Sequence, residues 1–521
     1  MKKWVKIVVF IFVFCGAFLL LSSQWIKDNF ETNDFGIILF HLRMPMLGNG
    51  VPMIGSFVFE VIVLSFAIAF CVAFYSVIIK GVKLVYIKLS SVKSLYKTIS
   101  LVLFSIALFA LCVNVVINRF HIKDYLKAQT TFSQLYESYY KPYDLSQTQN
   151  PTQNLIVIIV ESLESNFDSY TAEMGGGAKS LNLIPHLSKI ANDNVNFSHK
   201  DSFGGIYQLY ATGGTIAGNV SYMCGIPLNL PLDWNRFGKN THFLRKAVCL
   251  GDVLNAFGYK QAYFSSADLS FAGTKHFLQS HNIEVMDIKY FQDNGTLPQK
   301  IPHQLDGAWG PKDAVIFNLA KDYLQKLDSP FALYLTTLDT HGPRGFVDKD
   351  YCPDLEISYA NAYKCSDKVI SDFLKYIENS PFKDNTTIVI LGDHLGMAHF
   401  VKNYIYDGRK IYNAFINARF SKTPSKNLTK NRLLSHFDIT PLILDSIGIK
   451  TESFGLGRNP LYQMTFIEET YLNSLDRHYI QSTFEATLES IRQEAKGNMD
   501  KHIDNLNDEL KLRNKIYDDL W

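Results

Sequence analysis

Residues 155–160 read LIVIIV and stop at Glu161 and Ser162. A strand with one solvated face alternates apolar and polar residues. A run with no alternation suits a strand buried on both faces of a parallel sheet. Two later segments repeat the pattern. FALYLTTL at 331–338 runs into Asp339, Thr340 and His341, and TTIVIL at 386–391 runs into Gly392, Asp393 and His394. Helical patterns lie between them, at 313–327 and 359–379. Alternating strands and helices predict an α/β domain over 151–462, a mostly parallel sheet flanked by helices.

Working outward from the first strand, the chain changes character on both sides. Upstream, residues 7–23, 61–79 and 99–117 carry no charge. Each is close to the ~20 residues that cross a hydrocarbon core, so residues 1–117 read as a membrane domain with three transmembrane helices. The first run also has features of a signal peptide, with Lys2, Lys3 and Lys6 ahead of it, but no A-x-A site follows. The loop 80–97 holds Lys80, Lys83, Lys88, Lys93 and Lys97 and no acid. The positive-inside rule places that loop and the basic N-terminus in the cytoplasm, and everything after residue 118 outside. Residues 118–150 read as a linker that begins as a helix. Residues 463–521, rich in Glu, Asp, Lys, Asn and Leu, read as a helical tail.

Composition narrows the partners. The chain of 521 residues has a formal net charge of +2, which gives no basis for nucleic-acid binding. Cys15, Cys71 and Cys112 fall in the apolar runs, whereas Cys224, Cys249, Cys352 and Cys365 fall in the outer domain. Four cysteines in an oxidising compartment suggest two bridges, with three possible pairings. The expected pairs are the sequence-local ones, Cys224 with Cys249 and Cys352 with Cys365.

The polar residues at the three strand ends carry the chemistry. Ligands of open α/β sheets bind at the carboxyl ends of strands. Carboxylates and imidazoles gathered there would make a divalent metal site, whose mixed oxygen and nitrogen donors suit zinc or manganese better than calcium. Between the first two strands, Gly213 and Gly214 precede Thr215, where a helix can begin and run to Cys224. A hydroxyl at a helix N-terminus meets free N–H groups and the positive dipole end, a setting for phosphate, and beside a metal it can act as a nucleophile.

Four segments together resemble a known group: IVIIVESLESNFD (156–168), TIAGNVSYMCGIPL (215–228), LTTLDTHGPRGF (335–346) and VILGDHLGM (389–397). They resemble the sulfatase-like branch of the alkaline phosphatase superfamily. Within it they look most like the membrane phosphoglycerol transferases of osmoregulated periplasmic glucans, with the lipoteichoic acid synthases similar but further away. The resemblance spans roughly 150–450 and touches FHLRMPMLGNG at 40–50.

The resemblance implies a sulfatase-like fold and one divalent ion, manganese by expectation with zinc or magnesium as alternatives. Glu161, Thr215, Asp393 and His394 would hold the ion. Thr215 would be the nucleophile and His341 would contact the transferred phosphate. SSADLSFAG (265–273) matches a glycerol-phosphate recognition strip, with Asp268 as its polar candidate, although Phe271 and Gly273 stand near places where the lipoteichoic acid synthases use an arginine and a tryptophan. Trp309-Gly310 matches a feature without an assigned role. The implied donor is phosphatidylglycerol and the acceptor a periplasmic glucan or other glycan, at a bacterial inner membrane with the catalytic domain in the periplasm. Arg43 is a candidate phosphate contact in the outer loop.

The rival readings are a phosphoethanolamine transferase and a non-catalytic, membrane-tethered binding domain. A phosphoethanolamine transferase would call for further metal-binding histidines, for which only His399 and His436 are spare. His436 reads as a packed helix-cap residue. A true sulfatase is disfavoured, because Cys224-Gly225-Ile226-Pro227 has its proline one position late and lacks the arginine of the formylglycine motif.

Overall fold

A computed structural model describes residues 3–30, 35–36, 38–39, 55–81, 94–123, 125–126, 139–143, 150–174, 177–209, 212–228, 243–245, 247–301, 310–327, 330–342, 345–396 and 409–471. Arg43, Trp309, His399 and the tail beyond Tyr471 lie outside them. The chain divides into two compact units, one formed by Met1–Ile38 and Asn49–Lys127, the other by Leu39–Gly48 and Ala128–Trp521.

The first unit contains three apolar helices. The first, Lys3–Phe30, is longer than the uncharged run at 7–23 because polar residues at both ends continue the helical hydrogen bonding. The second begins earlier than the expected 61–79. Its membrane-competent stretch is Gly55–Ala73, with a π-helical segment at Val58–Val63 leading into the α-helix Leu64–Gly81. The third, Ser94–Arg119, contains the stretch Ile99–Arg119. Phe59, Phe66, Leu103, Phe104 and Leu111 are exposed on these helices, as lipid-facing side chains are. Arg119 Nη1 reaches back to the first helix, donating to Ser23 Oγ at 2.8 Å and Gln24 Oε1 at 3.2 Å.

The second unit is built on a mixed sheet. Its strands in chain order are β1 (Asn154–Val160), a separate hairpin of β2 (Tyr170–Met174) and β3 (Gly177–Leu181), β4 (Lys260–Ser265), β5 (Glu284–Met286), β6 (Phe331–Thr336), β7 (Thr386–Gly392) and β8 (Asn413–Ile416). The main sheet has six strands in the order β5-β4-β6-β1-β7-β8. All its pairs are parallel except β7 with β8. The three apolar runs of the sequence are therefore the adjacent strands β6, β1 and β7. Their register sets Ile159 opposite Thr336 on one side and Leu391 on the other, so all three strands end along one edge.

The lack of alternation in LIVIIV has the expected cause. Leu155, Val157 and Ile159 enter one apolar core, while Ile156, Ile158 and Val160 enter the other. Full burial of each such side chain contributes about 1.5–3 kcal/mol. The helices Asp313–Leu324 and Tyr359–Glu378 sit where the sequence patterns put them.

The folded unit is larger than 151–462. Tyr143 joins the first core. Lys141 pairs with Gly455 through two backbone bonds of 2.8 Å each, and Arg458 donates to the Tyr139 carbonyl. Downstream, Phe466 and Ile467 are buried with Leu209, Phe437 and Leu456. A few aromatic and aliphatic residues outside 151–462 are enough to pack against it.

Candidate active site

The ends of β1 and β7 bring three buried donors together. One ligand atom from each of Glu161, Asp393 and His394 lies within 4.8 Å of the others. His394 Nε2 is 3.4 Å from Glu161 Oε1 and 3.4 Å from Asp393 Oδ2. The other atoms of each group are tied off. His394 Nδ1 lies 3.0 Å from the Leu395 carbonyl, an acceptor, so Nδ1 carries the hydrogen and Nε2 faces the carboxylates. Asp393 Oδ1 accepts from the N–H groups of Ser162 at 2.7 Å and His394 at 2.8 Å, leaving Oδ2 for the centre.

The electrostatics of this trio call for a cation. Burial, then the neighbouring Glu161 charge, pushes the Asp393 carboxyl up to about 7. Burial alone would raise Glu161 too, but His394 overrides it and holds that carboxyl well below the usual range. Burial lowers His394, and the two carboxylates overturn it and lift the imidazole to about 10. Either a proton on His394 or a metal ion must supply the missing positive charge. Two carboxylates and one imidazole, with their outer atoms already bonded, fit a divalent ion.

Thr215 opens the helix Thr215–Cys224, and its Oγ1 donates to Glu161 Oε2 at 3.2 Å. Gly214 before it has φ of 89°, a conformation open to glycine and strained for other residues. The helix also packs tightly on the end of β7: a Cβ on Gly218 would stand 2.5 Å from the Asp393 carbonyl oxygen. His341 follows β6. Its Nδ1 is 2.7 Å from the Gly342 carbonyl, which places the ring hydrogen there in the neutral form, and it lies near enough to Glu161 for its charge to favour that carboxylate.

Asp268 lies beyond the carboxyl end of β4. Its Oδ1 accepts from the Ser270 N–H at 3.0 Å and from the Ser270 hydroxyl, so it organises its own turn. Its described bonds are local and do not reach the trio. His436 is not a ligand. Its Nε2 donates to the Asp393 carbonyl at 2.8 Å, inside a 3-10 turn capped by Ser435. Burial first, then the neighbouring His394, lowers its imidazole to about 4. Two disulfides are present, Cys224–Cys249 and Cys352–Cys365. One ends the Thr215 helix; the other ties the loop after His341 to the helix Tyr359–Glu378.

The supporting roles of several residues escaped the sequence reading, although the sequence places Ser162 and Thr340 at strand ends. Ser162 has φ of 55°, a costly conformation held by three bonds: its N–H to Asp393, its hydroxyl to Glu161 Oε1 at 2.7 Å, and its carbonyl from Tyr363 Oη at 3.1 Å. Thr337 Oγ1 accepts from the Glu161 N–H at 3.0 Å, and Thr340 Oγ1 donates to the Glu161 carbonyl at 2.7 Å. Asp313 accepts from the N–H groups of Leu338 at 2.8 Å and Asp339 at 3.0 Å, and Asp339 accepts from the Asp313 N–H at 3.0 Å. This reciprocal clamp fixes the stretch that leads to His341. Its only sequence signal was an acid at a helix start, which is too common to decide anything.

A buried carboxylate and imidazole centre at the strand ends of an α/β sheet, with a hydroxyl at a helix N-terminus beside it, is a group that could hold a metal ion in a sulfatase-like fold. The Sulfatase family model matches residues 153–449, more than half of the chain. The chain belongs to the Sulfatase family.

Among curated relatives, phosphoglycerol transferase I of Xanthomonas axonopodis pv. citri (strain 306) is 34% identical over 320 residues, 59% of this chain and 43% of that protein. Phosphoglycerol transferase I of Salmonella choleraesuis (strain SC-B67) is 32% identical over 342 residues, 62% of this chain and 41% of that protein. The matched region is thus less than half the length of these relatives. Among solved structures, the lipoteichoic acid synthase LtaP from Listeria monocytogenes is 18% identical with a TM-score of 0.45, covering 65% of this chain and 81% of that one. The integral membrane lipooligosaccharide phosphoethanolamine transferase A from Neisseria meningitidis is 13% identical with a TM-score of 0.46, covering 86% of this chain and 84% of that one.

Proposed function

We propose that this protein is a metal-dependent phosphoglycerol transferase of a bacterial inner membrane, with its catalytic unit on the periplasmic side. The observation that carries the reading is the Thr215 hydroxyl, 3.2 Å from Glu161 at a helix N-terminus, inside the Glu161–Asp393–His394 corner. The named relatives support it. A divalent ion held by these residues and Thr215, manganese by expectation, would lower the hydroxyl pKa and neutralise phosphate charge.

In the first half-reaction Thr215 Oγ1, deprotonated, attacks the phosphorus of phosphatidylglycerol in line. The O–P bond to threonine forms, the bond to diacylglycerol breaks, and protonated His341 gives the leaving oxygen its proton. In the second, an acceptor hydroxyl of a glucan or other glycan passes its proton to His341 and attacks phosphorus, and Thr215 leaves as the alkoxide. N–H groups at the start of the Thr215 helix receive the phosphate oxygens. Asp268, beyond β4, is the candidate for the glycerol hydroxyls.

The test is full-length protein on phosphatidylglycerol vesicles with manganese, following diacylglycerol release and the mass of the Thr215 peptide. A glycerophosphate adduct on that peptide is the expected result. Absence of diacylglycerol release with any divalent ion sinks the reading. Turnover of phosphatidylethanolamine instead would make it a phosphoethanolamine transferase.

A further inference from the structure

One polar side chain beside the nucleophile has no part in that scheme. Gln208 precedes Thr215 by seven residues. Its Oε1 accepts from the Leu395 N–H at 2.7 Å, and Leu395 directly follows the ligand pair Asp393-His394. That bond decides which way the amide points. A backbone N–H needs an acceptor, so the oxygen faces Leu395 and the NH2 group faces away.

The direction away is the approach to Thr215. A Cβ on Gly213 would meet Gln208 Nε2 at 2.9 Å, ahead of Cδ at 3.4 Å and Oε1 at 3.8 Å. The amide nitrogen is therefore the atom that rests against Gly213, two residues before the nucleophile. Among the described residues Nε2 has no protein acceptor. The side chain is half-buried, and this donor is oriented by that one bond. A side chain at 213 would displace the amide.

We propose that Gln208 is a further catalytic residue, whose Nε2–H donates to a non-bridging oxygen of the transferred phosphate. The ligand class is a phosphate ester or its five-coordinate transition state. The role rests on the phosphotransferase reading above. A neutral donor suits the place, because it stabilises the developing anion without competing with the ligand corner for the metal. Removing one such preorganised donor typically costs about 10²–10³ in kcat.

The test uses the full chain in detergent, with Gln208→Glu and Gln208→Met. The first keeps an acceptor for Leu395 and replaces the donor by negative charge. The second keeps length and removes both functions. Manganese content, melting temperature, inorganic phosphate affinity by calorimetry, and kcat for diacylglycerol release are measured. For Gln208→Glu we expect unchanged manganese and melting temperature, phosphate binding weaker by about tenfold or more, and kcat lower by about 10²-fold. Phosphate affinity and kcat within about twofold of the parent overturn the proposal. If Gln208→Glu loses manganese, Gln208→Met decides: weakened phosphate binding with manganese retained supports the role, and unchanged binding overturns it. A parent protein that binds phosphate but releases no diacylglycerol defeats the transferase reading, while the affinities still judge Gln208.

Discussion

Two pairs of buried acids sit at neighbouring strand ends, and they do opposite jobs. At the β1–β7 corner, Glu161 and Asp393 each keep an oxygen aimed at His394 Nε2. At the β6 corner, Asp313 and Asp339 turn their oxygens onto backbone N–H groups. Burial raises the Asp313 carboxyl well above its ordinary range, with Asp339 adding to the effect. The residue types are the same. What separates a metal ligand from a scaffold is whether its oxygens are already spoken for by the main chain.

The sharpest way to break this comparison is to neutralise one acid at each corner. Asp393→Asn should abolish stoichiometric manganese binding and lower diacylglycerol release by about 10³-fold or more, as expected when a metal that activates the nucleophile is lost. Metal analysis and a lipid assay check this. Full manganese occupancy in that variant would refute the ligand assignment. Thr215→Ala should likewise abolish release, yet retain metal, since Glu161, Asp393 and His394 remain. Thr215→Ser should keep part of the activity because the hydroxyl survives.

At the other corner, Asp313→Ala should act on stability before chemistry. It strands two backbone N–H groups, at about 1–3 kcal/mol each, so denaturant unfolding should shift by roughly 2–6 kcal/mol with manganese still bound. A variant that loses its metal but keeps its stability would reverse the roles of the two corners.

Chelation gives a pH signature to the first corner alone. Without metal, His394 is lifted to about 10. A raised imidazole stabilises the fold fully below its unfolded pKa, near 6.5, and that contribution is lost as pH rises through about 10. Asp393, lifted to about 7, has the same sign, because its protonated form is favoured in the fold. Chelated protein should therefore lose melting temperature on going alkaline, while the manganese-loaded protein should not. Equal slopes for the two forms would remove the case for a charge-hungry centre.

The smallest expected effect is Cys352→Ser with Cys365→Ser, which releases the loop after His341. A loop of this size costs up to about 3 kcal/mol in the entropic account. Calorimetry should show the loss with manganese content unchanged.

How legible these corners were differs for a physical reason. Glu161, His341, Asp393 and His394 follow apolar runs, so local sequence marks them as strand-end residues. Thr215 follows two glycines and shows itself as a helix start. Ser162 and Thr337 carry the same strand-end marker but nothing local shows what they bond, and Asp313 and Gln208 have no such marker. Asp313 meets Leu338 and Asp339 across 25 and 26 residues, and Gln208 meets Leu395 across 187. Such contacts exist only once the sheet has ordered its strands.

Local sequence therefore determined the apolar membrane runs, the three central strands, and the side chains available at their ends, because burial and periodicity act within a few residues. Tertiary structure decided the rest. It set β1 between β6 and β7, drew Tyr143 and Phe466 into the folded unit, and stood a half-buried amide between Gly213 and Leu395. Whether an acid binds metal or backbone depends on which donors the fold brings to it, and those donors come from distant parts of the chain.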